Sequence, residues 1–182
     1  IKGSADQLIQ RLKSEGKDSP ADVLISVDAG RLVRAKSLGL LQPVFSETLN
    51  HNVPKLMRDS DNFWFGLSVR ARVIVYAKDR VYENELSTYE NLTDPKWNGR
   101  IVIRSSNNIY NQSLLASIIE HNGKKGAIQW AKLVRNNMAR KPRGNDRDQA
   151  RAVANGVADL AVINTYYLGL LANSPKKEDR AA

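Results

Sequence analysis

The first hydrophobic pattern along the chain is helical: within residues 5–15, Leu8, Ile9 and Leu12 share one face, Gln7, Gln10, Arg11 and Lys13 lie opposite, and Gly16 stops the helix. Ser19 and Pro20 turn the chain. Residues 21–26, with Val23, Leu24 and Ile25, form a short continuous apolar run that predicts a strand buried on both faces. Asp28-Ala29-Gly30 then starts a second helix through Lys36, which leaves residues 27–30 as the loop at a strand's carboxyl end. Residues 63–78, with Trp64, Leu67, Val69, Ala71, Val73 and Val75 at alternate or adjacent positions, predict one long or bent strand of the kind that connects two lobes.

Further on, Thr93-Asp94-Pro95-Lys96-Trp97-Asn98-Gly99 is turn chemistry around an aromatic plug, and it leads into a strand over 100–104. A polar loop, 105–108, precedes a helix over 110–121, which Gly123 and Gly126 separate from a helix over 127–137. A basic loop, 140–147, containing Pro142 and Gly144, is followed by a short helix over 148–155 and a buried strand over 158–163. Asn164-Thr165-Tyr166-Tyr167 opens the last helix, through Leu171. Strands alternating with helices predict an α/β class with parallel sheets.

With 182 residues, 42% of them apolar, the chain can build one domain of ordinary size or two small lobes. The net charge of +9 permits nucleic acid, anionic lipid or small anions as partners and selects none of them. The basic run Arg135, Arg140, Lys141, Arg143, Arg147 and Arg151 has no interleaved aromatics and no nucleic-acid module around it, so it is assigned to solvated surface, with no nucleic-acid partner. The absence of cysteine excludes disulfides, thiolate catalysis and cysteine-held zinc or iron–sulfur clusters, and two histidines are too few for a His-rich metal site. Apolar stretches are broken by Arg, Lys or Gly before a membrane helix is reached, so the chain reads as soluble. No leader pattern opens the sequence, and any targeting signal is expected to have been removed or to lie outside it.

Candidate chemistry gathers in three loops at strand carboxyl ends: 27–30, 104–110 and 164–167. In the second, Arg104-Ser105-Ser106-Asn107-Asn108 offers backbone N–H groups, hydroxyls and amides that suit an anion, and equally suit helix capping, with Arg104 as an edge charge. Tyr166 and Tyr167 stand at a strand-to-helix junction, where both phenols can enter one crevice or one can join the core. Tyr110 opens the helix after the polar loop, as a third phenol or a surface aromatic. Should the three meet, they are hard oxygen donors that only a strongly polarising cation deprotonates at neutral pH, which favours ferric iron over calcium or magnesium. His51 and His121 lie in a loop and at a helix end, Asp94 and Asp146-Arg147-Asp148 form no acid–base pair, and no glycine-rich phosphate loop exists, so no enzyme is expected.

Four blocks, ADVLISVDAGRL, LSVRARVIVYAK, LTDPKWNGRIVIRSSNNIYNQSLLAS and VANGVADLAVINTYYLGLL, in that order resemble the ferric-iron-binding periplasmic proteins of bacterial ABC transporters, and within them the cyanobacterial type. The resemblance implies a type II periplasmic-binding-protein fold of the α/β class, with two lobes, mixed and mostly parallel sheets, and an interlobe cleft that closes on one Fe(III). By position it makes Tyr110, Tyr166 and Tyr167 the metal ligands, and places Arg72, Arg104, Ser105 and Asn164 beside the site as anion-holding or supporting residues. It implies further ligands from the first lobe and from the family's longer amino-terminal segment, carbonate or a similar synergistic anion to complete coordination, a membrane permease as partner, a periplasmic location and a monomer. Val27 or Asp28 falls where other subtypes place an acidic ligand; Val27 cannot ligate, and Asp28 is not assigned as a ligand. Family members are longer at both ends, so the chain is expected to be an internal piece, with a partial first lobe over 1–72 and a second lobe over 73–182. Within the same fold, a binder of an oxyanion or organic anion centred on the 105–108 loop is the competing reading.

Overall fold

A computed structural model describes residues 1–180. The chain divides into two compact units, Ile1–Val69 and Arg70–Ala182.

The first unit carries the expected helices. Helix α1, Ala5–Glu15, starts at Ser4 with a reciprocal cap, in which the Gln7 N–H bonds the Ser4 hydroxyl and the Gln7 side chain accepts from the Ser4 N–H. Helix α2, Ala29–Ser37, begins at Asp28, whose carboxylate accepts from the Gly30 N–H at 3.0 Å. Helix α3, Glu47–Asn52, is capped by Ser46. Lys36 ties this unit together by bonding both Asp59 and Asp61 at 2.8 Å.

The strand expected over 21–26 does not form. No neighbouring strand among the described residues offers it ladder bonds, and Val23 and Ile25 stand 75% and 78% exposed. The long strand expected over 63–78 is shorter for the same reason: ladder pairing covers Arg72–Tyr76 (β1), whereas Leu67 and Val69 are exposed.

The second unit is a three-stranded mixed sheet between two helical layers. Strand β2 is Ile101–Val102, a shorter element than the sequence pattern suggested, and β3 is Leu160–Asn164. The order is β1-β3-β2, with β3 antiparallel to β1 from Arg72↔Asn164 to Tyr76↔Leu160 and parallel to β2 at Ile101↔Leu160 and Val102↔Ala161. All five residues of β3 are buried, which explains its unbroken apolar run. Leu160 and Val162 point into one core with Leu92, Trp97, Ile101, Leu114, Trp130 and Val134, while Ala161 and Ile163 point into the other with Val102, Ala150, Val153 and Leu171.

Helix α4, Ile109–Asn136, packs against the first of these cores and bends at Gly123, whose φ of 68° and ψ of 166° break the helical run. That bend is the separation the two glycines predicted. Helix α5, Asp146–Ala154, starts two residues earlier than its sequence pattern suggested, because Asn145 caps it and Asp148 closes the reciprocal bond to the Asn145 N–H at 2.8 Å. Gly144 precedes this cap with φ 71°, and a Cβ there would lie 2.7 Å from the Asp148 carboxylate. Helix α6, Tyr166–Ala172, follows β3 directly, and α7, Lys177–Arg180, ends the described chain. No helix is long and apolar enough to cross a membrane.

Candidate metal centre

The sheet topology brings one set of chain ends together. Strands β2 and β3 are parallel and share an edge at their carboxyl ends, and β1, antiparallel to β3, begins at that edge with Arg72 opposite Asn164. Helices α4 and α6 start just beyond it, so Tyr110, the second residue of α4, meets Tyr166 and Tyr167, the first two of α6.

The hydroxyls of Tyr110 and Tyr166 lie 3.2 Å apart and share a hydrogen bond. The Tyr166 and Tyr167 rings are tilted against one another with centroids 4.3 Å apart. Asn164 donates from Nδ2 to the Tyr166 hydroxyl at 3.4 Å, and Arg70 donates to that of Tyr110 at 3.3 Å. Three guanidiniums face the Tyr110 ring, those of Arg70, Arg104 and Arg72 at 5.2, 5.4 and 5.9 Å from its centroid, and Arg147 stands 5.9 Å from the Tyr167 ring.

Behind the phenols runs a polar network. Arg72 donates to Asp146, Asn164, Asn111 and the Val162 carbonyl at 2.7–3.1 Å, and Arg104 donates to Asp146 at 3.2 Å. Asn111 in turn bonds the Arg104 carbonyl at 2.7 Å, fixing the loop before α4. The Tyr89 hydroxyl donates to the Arg72 carbonyl and holds the start of β1.

The three phenols differ electrostatically. Burial, reinforced by the hydrogen bond and charge of Tyr166, raises Tyr110 above the ordinary phenol value, with Arg70 partly offsetting this. Burial also pushes Tyr166 up, but hydrogen bonds from Tyr110, Tyr167, Asn164 and Arg70 outweigh it and leave Tyr166 below that value. Tyr167 is held high, first by burial and then by its bond to Tyr166 and the charges of Tyr166, Tyr110 and Asp146. Tyr166 is therefore the phenol that ionises first.

Of the seven residues singled out in the sequence, Tyr110, Tyr166, Tyr167, Arg72, Arg104 and Asn164 come together. Ser105 stands apart in role: its hydroxyl accepts from the Asn107 N–H at 3.2 Å in a local turn, and only its carbonyl faces the network, through Asn111. Arg70, Asn111 and Asp146 belong to the cluster without having been recognised in the sequence. The alternation of 70 and 72 along one extended segment was the available signal for Arg70, whereas Asn111 and Asp146 gave none beyond their places in the first turns of helices.

The oxygen spacing is compatible with a single small cation, since adjacent octahedral ligands with bonds of about 2.0–2.1 Å lie about 2.9 Å apart, slightly closer than the two hydroxyls do here. Among the described residues no group of three or more His, Asp or Glu side chains stands where it could hold a metal ion.

Comparison with known proteins adds four findings. A family described as bacterial extracellular solute-binding protein matches residues 18–177. The chain is 53% identical to iron uptake protein A1 of Synechocystis sp. over 181 residues, which are 100% of this chain and 50% of that protein. It is 32% identical to the major ferric iron-binding protein of Neisseria gonorrhoeae over 167 residues, 89% of this chain and 49% of that one. A Trichodesmium IdiA/FutA protein, solved in complex with iron and citrate ligands, superimposes with a TM-score of 0.95 at 55% identity, covering 100% of this chain and 57% of that chain. The chain thus spans about half the length of the curated relatives it matches.

Proposed function

From its membership in the bacterial extracellular solute-binding protein family, we propose that this chain is the part of a periplasmic, monomeric ABC-transport receptor that grips ferric iron through Tyr110, Tyr166 and Tyr167 and passes it to a membrane permease. The observation that carries the reading is the 3.2 Å approach of the Tyr110 and Tyr166 hydroxyls, with Tyr167 packed beside them. Two of the relatives are named for ferric iron or iron uptake, and a third was solved holding iron and citrate. These are transport proteins, and no catalytic role is assigned here.

In this reading the cargo displaces three phenolic protons, and three phenolates balance the charge of one Fe(III). Tyr166, which the hydrogen bonds of its neighbours hold below the ordinary phenol value, gives up its proton most readily of the three. Arg70 donates to the Tyr110 oxygen and stabilises its anionic form. Arg72 and Asn164 fix the start of α6 from behind, through the Asn164 bond to Tyr166.

A second reading, an oxyanion or organic-anion binder, is favoured by one observation: among the described residues no carboxylate pairs with Arg70, which leaves its charge free to meet an anion beside Tyr110. The same charge would hold carbonate or a similar synergistic anion next to iron.

Adding ferric citrate to the purified chain and recording the visible spectrum separates these readings. Phenolate bound to Fe(III) gives a charge-transfer band, expected here and expected to be lost in Tyr166→Phe and weakened in Tyr167→Phe. A colourless chain that still binds citrate or carbonate alone would overturn the iron reading in favour of the anion reading.

A further inference from the structure

Asp146 makes no hydrogen bond to the three phenols, yet three other segments of the chain converge on it. It is fully enclosed, in the first turn of α5. Its Oδ2 accepts from Arg72 Nη1 and from the backbone N–H of Asn164, both at 3.0 Å, and its Oδ1 accepts from Arg104 Nη1 at 3.2 Å. The partner side chains are themselves nearly enclosed, 9% exposed for Arg72 and 16% for Arg104. A buried carboxylate is tolerated only when its oxygens are filled by charged or N–H donors, and here both are.

The two guanidiniums are not equally dependent on it. Arg72 has three further acceptors, in Asn111, Asn164 and the Val162 carbonyl. Arg104 has no other side-chain hydrogen bond among the described residues, and its Nε, like that of Arg72, is buried without a partner. Without the carboxylate, two like charges would face each other across a low-dielectric gap, and Arg104 would be the one released.

We propose that Asp146 is the positioning residue of the tyrosine site: it holds Arg72 and Arg104 against the Tyr110 ring and pins the end of β3, from which Asn164 reaches Tyr166. This rests on the reading that the phenols bind ferric iron. Asp146 itself is no ligand, since its oxygens are committed to the arginines and to Asn164.

Asp146→Asn keeps the shape and removes the charge, and two measurements on the whole chain test it. In the metal-free protein, the Nε–H NMR signals of Arg72 and Arg104, assigned with the variants Arg72→Gln and Arg104→Gln, report how firmly each guanidinium is held. Asp146→Asn is expected to mobilise Arg104 strongly and Arg72 less; unchanged signals for both would overturn the proposal. In the iron-loaded protein, retention against citrate is expected to fall about 10- to 100-fold, the cost usual for removing an outer-shell partner. Combining Asp146→Asn with Arg104→Gln should cost less than the product of the two single losses, because the part of the acid's effect that runs through Arg104 is then already gone, whereas fully multiplicative losses would overturn the hold on Arg104. If Asp146→Asn fails to fold, Arg104→Gln alone carries the test, and undiminished retention in that variant contradicts the role. A parent chain that shows no iron colour while its Arg104 signal still depends on Asp146 supports the positioning role and sinks the iron reading.

Discussion

Tyr110 and Tyr166, 56 positions apart in the chain, share a 3.2 Å hydrogen bond between their hydroxyls. Two phenols this close cannot both ionise in isolation, because the second negative charge would form against the first. A polyvalent cation would remove that conflict, so under the proposed reading the two phenols ionise together only against iron.

Binding should consequently release protons. Each phenol that becomes a ligand loses one, so apparent iron affinity rises with pH and falls on acidification. Calorimetry in two buffers of different ionisation enthalpy measures this directly, with a net release expected and none measured if the tyrosines stay protonated.

In the metal-free chain, alkaline titration followed by phenolate absorbance should show Tyr166 as the earliest buried phenol to ionise. Tyr166→Phe should abolish that step and bring Tyr110 down toward the ordinary phenol value, since burial then acts on it without the bond and charge of Tyr166. A Tyr110 step that stays where it was would show that burial alone sets it.

Tyr166 and Tyr167 were legible in the sequence because a buried apolar run, LAVI, stops at Asn164 and a helix starts at once, which puts both phenols at a strand's carboxyl end. The bend in α4 was legible as well, from its two glycines. Asp146 was not: in Asp146-Arg147-Asp148 it looks like one of a pair of surface acids at a helix start, and its burial depends on Arg104 and Arg72, 42 and 74 positions away. Periodicity also failed over 21–26 and 63–71, since alternating or continuous apolar residues encode a face for a strand and do not supply the neighbour that makes its ladder.

Asp159 anchors the opposite end of the sheet, accepting from Arg80 Nε and Arg100 Nε at 2.6 Å each. Burial pushes its carboxyl up, but Arg100 and Arg80 outweigh this and hold it below the ordinary range. A carboxyl depressed in the folded state stabilises above its unfolded value of about 3.9 and loses that contribution as pH falls through the folded value. Asp159→Asn should cost about 1–3 kcal/mol at neutral pH. Urea unfolding at neutral pH and at about pH 3 should show the gap between parent and variant narrowing in acid; an equal gap at both would refute the linkage.

Trp97, fully buried beside Leu92, Ile101 and Leu160, closes one core of the second unit. Trp97→Ala should destabilise by about 3–5 kcal/mol, read as a lower urea midpoint. A loss below about 1 kcal/mol would mean that the neighbours collapse into the space.

Gly123 sits at φ 68° and ψ 166°, a region open essentially to glycine alone, and a Cβ there would meet nothing within 4 Å. Gly123→Ala should therefore cost about 1–3 kcal/mol through backbone strain alone, with the fold otherwise kept. An alanine variant as stable as the parent would show that α4 can straighten.

The Arg72↔Asn164 register of the β1–β3 ladder carries a consequence for how this chain tolerates length changes. Side chains alternate between faces along a strand, so a deletion or insertion of one residue within 73–76 would turn Arg72 to the far side of the sheet. It would leave Asp146 and Asn164 facing a vacated position while every ring at the site remained intact in composition. Two-residue changes restore the face but move Arg72 by one full repeat, away from Tyr110. The spacing between Arg72 and the rest of β1 is thus a reading frame for the site, and loss of cargo binding in natural length variants should map to this ladder even where all three tyrosines are retained.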